Sequence, residues 1–136
     1  MSNDFEKVSL FINFRTVKDI ISAEEVLKKA KEYGKITKAR IYLEQEDMEV
    51  YRDTITDISK LGIEPIVTVL AKDVRLAIDM LEDAYDPLID IIILSHDKEN
   101  IIPALLHIKS LKRLVIISPA KVPKSYHTIT EEVIEV

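Results

Sequence analysis

The sequence predicts an α/β fold: a three-layer sandwich with a central, mainly parallel sheet of five or six strands flanked by helices. Three observations point there. Short apolar runs such as Val8–Phe14 (VSLFINF) and Ile89–Leu94 (IDIIIL) are nearly continuous rather than alternating, as strands buried on both faces of a parallel sheet are. Segments with helical spacing of apolar residues separate these runs. The alternation of the two types at this spacing implies right-handed crossovers and a parallel sheet.

The first strand is Val8–Phe14. A helix follows, for which Ser22 and Glu25 make a capping box; Val26, Leu27, Ala30 and Tyr33 share one face, and Gly34 stops it. Ile36–Leu43 reads as the second strand. Asp47–Leu61 reads as one helix with Tyr51, Ile55 and Ile58 inward, closed by Gly62. The third strand is Ile63–Leu70, with Pro65 near its start, where a missing N–H is tolerated. Asp73 is placed to cap a helix over Val74–Tyr85 whose inner face is Leu76, Ala77, Met80, Leu81 and Ala84. Asp86-Pro87 ends that helix. Ile89–Leu94 is the fourth strand, Ser95–Asn100 a turn, Ile101–Lys109 a short helix and Leu114–Ile117 the fifth strand. The tail is polar, with Pro119 and Pro123, and ends in VIEV, which reads as a short edge strand.

The 136 residues make one domain, 1–136, and are enough to bury a core. With 47% hydrophobic and 32% charged residues, the chain belongs with folded globular proteins. No apolar run approaches the roughly 20 residues that span a bilayer. Met1–Asp4 lacks the basic start of a leader peptide, and the chain has no cysteine. These features lead us to expect a cytoplasmic protein without membrane partners, disulfides or thiolate metal sites.

The net charge of −5 does not suit a general nucleic-acid binder, because affinity for the backbone comes from Lys and Arg. The cations are unevenly spread, however. Lys28, Lys29, Lys31, Lys35, Lys38 and Arg40 crowd one segment, and a second group runs from Lys109 to Lys124. Read singly, each is a solvated face; read together, they leave basic patches open to RNA.

Ligands of a doubly wound sheet bind outside the carboxyl ends of its strands. The residues to inspect are therefore Asn13–Thr16, Lys72 and Asp73, Ser95–Glu99, and Ser118. Asp73, Asp97 and Glu99 fall on this rim, and carboxylates converging from separate loops suit a hard cation such as Mg²⁺ or Mn²⁺. Each also has a plain structural reading: Asp73 as an N-cap, Asp97 and Glu99 as first-turn acids facing a helix dipole. With only two glycines, both assigned to helix ends, the chain has no Gly-rich phosphate loop. A receiver domain would need paired acids after the first strand and Lys after the fifth, where this chain has Asn13 and Ser118. A dehalogenase-type phosphatase would need D-x-D after the first strand, which is absent.

Three stretches occur in the order found in one family. Phe11-Ile12-Asn13-Phe14-Arg15-Thr16 stands where a first strand ends in F-I-D-x-x-N. Lys72–Asp79 (KDVRLAID) stands where a helix begins near V-D-V-x-L-A-x-D. Leu94–Asn100 (LSHDKEN) stands where a strand ends in L-x-S-G-D-x-D-F. With this order and spacing over Val8–Ser118, the chain resembles the NYN branch of the PIN-like nucleases. The resemblance implies a metal-dependent endoribonuclease site of Asp73, Asp97 and Glu99, with Asn13 as a fourth ligand and Mg²⁺ or Mn²⁺ as cofactor. RNA is the partner it implies, and a homodimer is a further expectation. Asp79 is also retained, but it lies about 120° around the helix from Asp73, which suits packing or an ion pair.

The departures from the pattern are informative. Asn13 replaces the leading carboxylate, and an amide brings no charge and cannot act as a base. Thr16 replaces Asn, and His96 puts a ring where the pattern has Gly. The expectation is a partly degraded acidic site with weak or lost activity. The alternative is a non-catalytic RNA- or protein-binding module on the same fold.

Overall fold

The computed structural model describes residues 6–136; Met1–Asp4, on which the leader-peptide argument rests, lies outside them. Six strands form one sheet: β1 (Lys7–Asn13), β2 (Lys35–Glu44), β3 (Glu64–Thr68), β4 (Ile91–Ser95), β5 (Arg113–Ser118) and β6 (Val133–Glu135). Their order is β3-β2-β1-β4-β5-β6, and every neighbouring pair is parallel. The helices are α1 (Ile20–Ala30), α2 (Gln45–Val50), α3 (Arg52–Ser59), α4 (Lys72–Ala84), α5 (Ile102–Leu111) and α6 (Lys124–Ile129), with one 3-10 turn at Glu99–Ile101.

Strand parity divides the core between the two helical layers. On β1, Val8, Leu10 and Ile12 pack with Val26 of α1 and Ile55 and Ile58 of α3. Phe11 faces the other way, with Leu76 and Met80 of α4, Leu105 of α5 and Tyr126 of α6. β4 and β5 divide in the same fashion, Ile93 and Val115 to one side, Ile92 and Leu114 to the other. This double burial is why these strands read as continuous apolar runs. Edge strand β3 is only partly covered, and it stops at Thr68, leaving Val69 and Leu70 exposed.

Several local expectations are corrected. Asp19, not Ser22, caps α1: its Oδ1 accepts from the Ser22 amide at 2.7 Å. An acid one turn earlier reaches the free amides better than a serine inside the helix can. α1 ends at Ala30, so Gly34 lies in the turn beyond it, whereas Gly62 does close α3, with φ of 89°. The helix expected over Asp47–Leu61 is two helices, broken at Tyr51 (φ −116°, ψ 31°). The first is held by reciprocal bonding between Glu44 and Asp47. Ala71, in the left-handed region at φ 60°, precedes α4, and no side chain caps that helix. The tail contains α6 as well as β6, and Tyr126 on α6 is fully buried. The spacing of Val122, Tyr126 and Ile129 was a helical signal inside a stretch read as polar.

Candidate functional site

The strand order reverses direction between β1 and β4, which leave the sheet in opposite crossover directions, so a crevice is expected outside their carboxyl ends. β1 stops at Asn13 because the chain turns back sharply: the amides of Thr16 and Val17 both donate to the Asn13 carbonyl at 3.0 Å. The Asn13 side chain, fully buried, reinforces the turn by accepting from the Arg15 amide at 3.3 Å. Its Nδ2 donates to Thr16 Oγ1 at 3.1 Å. Thr16 Oγ1 in turn donates to Asp97 Oδ1 at 2.9 Å. The loops after β1 and β4 are thus tied by a chain of donors that ends on a carboxylate.

Asp73 enters from α4. His96 Nε2 lies 2.9 Å from its Oδ1, and Asn100 Nδ2 donates to its Oδ2 at 2.9 Å. Lys72 Nζ is 3.8 Å away. The N–H of His96 is the largest influence holding the Asp73 carboxyl well below the usual carboxylate range; Asn100 and the Lys72 ammonium add to it, against burial. The Lys98 amide donates to His96 Nδ1 at 3.0 Å. That bond leaves Nε2 as the protonated nitrogen, a donor toward Asp73. Tyr126 hydroxyl donates to the Lys98 carbonyl, clamping the loop from below. Burial pushes the Tyr126 phenol up, and the charges of Asp97, Asp73 and Glu99 push it further.

The structure joins Asn13 to Asp97 through Thr16 and joins Asp73 to His96, the residue before Asp97, but Asp97 and Asp73 line separate hollows. Glu99 bears on the same phenol, but its Oε2 accepts from Ser125 Oγ at 2.7 Å, on the α6 side. Asp79 lies apart, accepting from Tyr42 hydroxyl at 2.7 Å and Arg75 Nε at 3.1 Å. The sequence reading passed over Tyr126, Asn100 and Asp47. Asp47 is buried and takes Arg15 Nη2 at 2.7 Å and the Glu44 amide at 3.1 Å, steadying the loop that carries Asn13. An acid three residues after Glu44 was its one local signal. Ser95 at the end of β4 has a buried hydroxyl without a partner among the described residues.

Arg15, Thr16, Lys18, Asp97 and Pro119 line an open hollow of about 280 Å³ at this edge. Its chemistry is mixed: two carboxylates, Asp97 and Asp19, flanked by two cations. Among the described residues, no three His, Asp or Glu side chains converge as a cation site. The donor set explains why. Each Asp73 oxygen already accepts a hydrogen bond, as does one oxygen of Asp97, Glu99 is turned to Ser125, and Asn13 carries no charge. As arranged, these residues do not fit a carboxylate-cradled Mg²⁺ or Mn²⁺. No helix among the described residues is long and apolar enough to cross a membrane.

No curated protein matches the chain. One solved structure, that of a protein of unknown function from Vibrio parahaemolyticus, is similar in fold at a TM-score of 0.77 and 16% identity, covering 96% of this chain and 93% of that one. The family model of the NYN domain matches residues 4–135. Nucleases of this class generally depend on a divalent metal and act on RNA. Matched over nearly its whole length, the chain belongs to the NYN domain family, a PIN-like and nuclease-related group.

Proposed function

We propose that the chain is a cytoplasmic, RNA-directed NYN protein, related to metal-dependent endoribonucleases, in which a partly replaced acidic site leaves phosphodiester hydrolysis weak or lost. Asp73, Asp97 and Glu99 are its candidate catalytic acids, and with Asn13 they occupy the positions of Mg²⁺ or Mn²⁺ ligands. The observation that carries the reading is the bonding of these carboxylates: they follow the carboxyl-end rim of the sheet without converging, and they are engaged by neutral donors from Thr16, His96, Asn100 and Ser125. Lys18 beside Asp97 supplies a cation for a phosphate backbone, next to Arg15, which is itself paired with Asp47. The test is a single-stranded RNA incubated with Mn²⁺, with gel shift and cleavage read on the same samples. Salt-sensitive retention with at most slow cleavage is expected, and Asp97→Asn abolishes the cleavage while leaving retention. Rapid turnover by the wild type refutes the degraded site; no retention up to about 100 μM protein at low salt refutes RNA as partner.

A second reading, a non-catalytic protein-binding or self-assembly module, is favoured by one feature. Val74 and Ile78 are exposed on a shallow apolar groove of about 350 Å³ between α4 and the start of α5, and Val69 and Leu70, shortly before α4 in the chain, are exposed as well. Sedimentation of the wild type against Leu70→Glu separates a homodimer from a monomer.

A further inference from the structure

We infer that His96 and Asn100 together take the place of a cation at Asp73, so that this NYN domain neither binds nor needs a divalent metal there, and that removing the His96 ring opens a metal site. The inference deepens the reading above and rests on it for the kinship with metal-dependent enzymes.

The geometry supports it from three sides. First, both Asp73 oxygens already accept at 2.9 Å, one from an imidazole N–H and one from an amide. An ion approaching Oδ1 from the side of His96 would meet the imidazole proton, and each oxygen has one lone pair fewer to offer. Second, the imidazole has no room to give way. His96 is fully buried, its Nδ1 is held by the Lys98 amide, and the Lys98 carbonyl is held by Tyr126. Displacing the ring from Asp73 would strand a buried N–H, which structures avoid. Third, the neighbouring positions do not compensate. Asn13 brings no charge, and Thr16 delivers a proton, not a lone pair, to Asp97. The Lys72 ammonium, 3.8 Å from Asp73, already balances part of its charge. A hard cation that sheds water reluctantly needs free anionic oxygens, and the donors leave too few.

Deleting the ring reverses the first two conditions. In His96→Gly, Asp73 Oδ1 loses its donor, and the volume of the ring opens beside that oxygen.

The test is Mn²⁺ binding, read by loss of the free-ion electron paramagnetic resonance signal and by thermal shift, with no activity required. The wild type is expected to leave the Mn²⁺ signal and its own Tm unchanged at millimolar Mn²⁺. Folded His96→Gly is expected to bind one Mn²⁺ and gain about 3 °C or more in Tm, a gain lost in His96→Gly/Asp73→Asn. Stoichiometric Mn²⁺ binding by the wild type that disappears in Asp73→Asn overturns the inference, as does a folded His96→Gly that ignores Mn²⁺. Should His96→Gly not fold, His96→Ala takes its place in the same titration, and the wild-type titration decides whether Asp73 holds a metal. RNA retention measured on the same samples separates the two proposals. Its absence removes the RNA reading and leaves the metal result standing; Mn²⁺ binding by a wild type that retains RNA does the reverse.

Discussion

Asp73→Asn probes the hydrogen-bonded acid most directly. The carboxylate accepts from His96 and Asn100 at 2.9 Å each, and a hydrogen bond to a charged group is worth about 1.5–3 kcal/mol against about 1 kcal/mol for a neutral one. The new side chain keeps one acceptor oxygen for His96. Its NH₂ then faces Asn100, which has to flip its amide to accept. Losing the charge from two bonds costs about 1 kcal/mol each, and losing the half-buried Lys72 pair adds a few tenths. The sum is about 2 kcal/mol. In urea, with a slope of about 1–3 kcal/mol per M, the midpoint falls by about 1 M with the slope unchanged. The pH dependence has a definite sign. The pKa of Asp73 is lower in the folded state than in the unfolded chain, so its stabilisation is present above the unfolded value near 4 and is lost as pH falls toward the folded one. The gap between wild type and variant is therefore constant from pH 7 to about 5 and closes in acid. A gap under about 0.5 kcal/mol at pH 7, or one that widens on acidification, refutes this account of Asp73.

Other perturbations test the surrounding scaffold. Thr16→Val breaks the link from Asn13 to Asp97 and is expected to cost about 1–2 kcal/mol, with faster amide exchange at Arg15–Val17 by NMR. Tyr126→Phe leaves the Lys98 carbonyl without its donor; a loss of about 1–2 kcal/mol in urea unfolding is expected, with exchange speeding up over His96–Asn100. Arg40→Met removes a cation lying 3.3 Å from buried Asp83 and 3.7 Å from Asp79, and about 3 kcal/mol should be lost. Lys38 and Ser9 remain on Asp83, so a loss beyond about 5 kcal/mol would mean that they do not share the load. Leu105→Ala, in the layer under α4 and α5, is expected to cost about 2–5 kcal/mol by thermal or urea unfolding.

Much of the fold was legible because its signals are local or nearly so. Leu10–Ile12 and Ile91–Leu94 are apolar at successive positions, as a strand covered on both faces is at this length. Leu76, Met80 and Ala84 mark the inner face of α4 through simple four-residue spacing. The rim positions of Asn13, Asp73 and Asp97 followed from the same reading, since strand ends in a parallel sheet define one edge. Errors arose where two local signals competed. Asp19 and Ser22 both qualify as caps for α1, and the fold chose the one whose amide partners were free. Tyr51 carries no helix-breaking mark, yet its ring packs edge-on against Phe14 at 5.3 Å, and the helix is interrupted there.

The sequence alone determined the class of the fold, the edge on which chemistry could occur, and the loss of charge at Asn13, because periodicity and residue type are properties of the chain. It could not determine what each acid does. Asp73 reads as a helix cap along the chain, but in three dimensions its oxygens belong to His96 and Asn100, which lie 23 and 27 residues away. Asp97 is claimed by Thr16 from 81 residues away. A carboxylate's chemistry depends on which donors reach it first, and here those donors arrive from other loops, through contacts that exist only once the sheet has assembled.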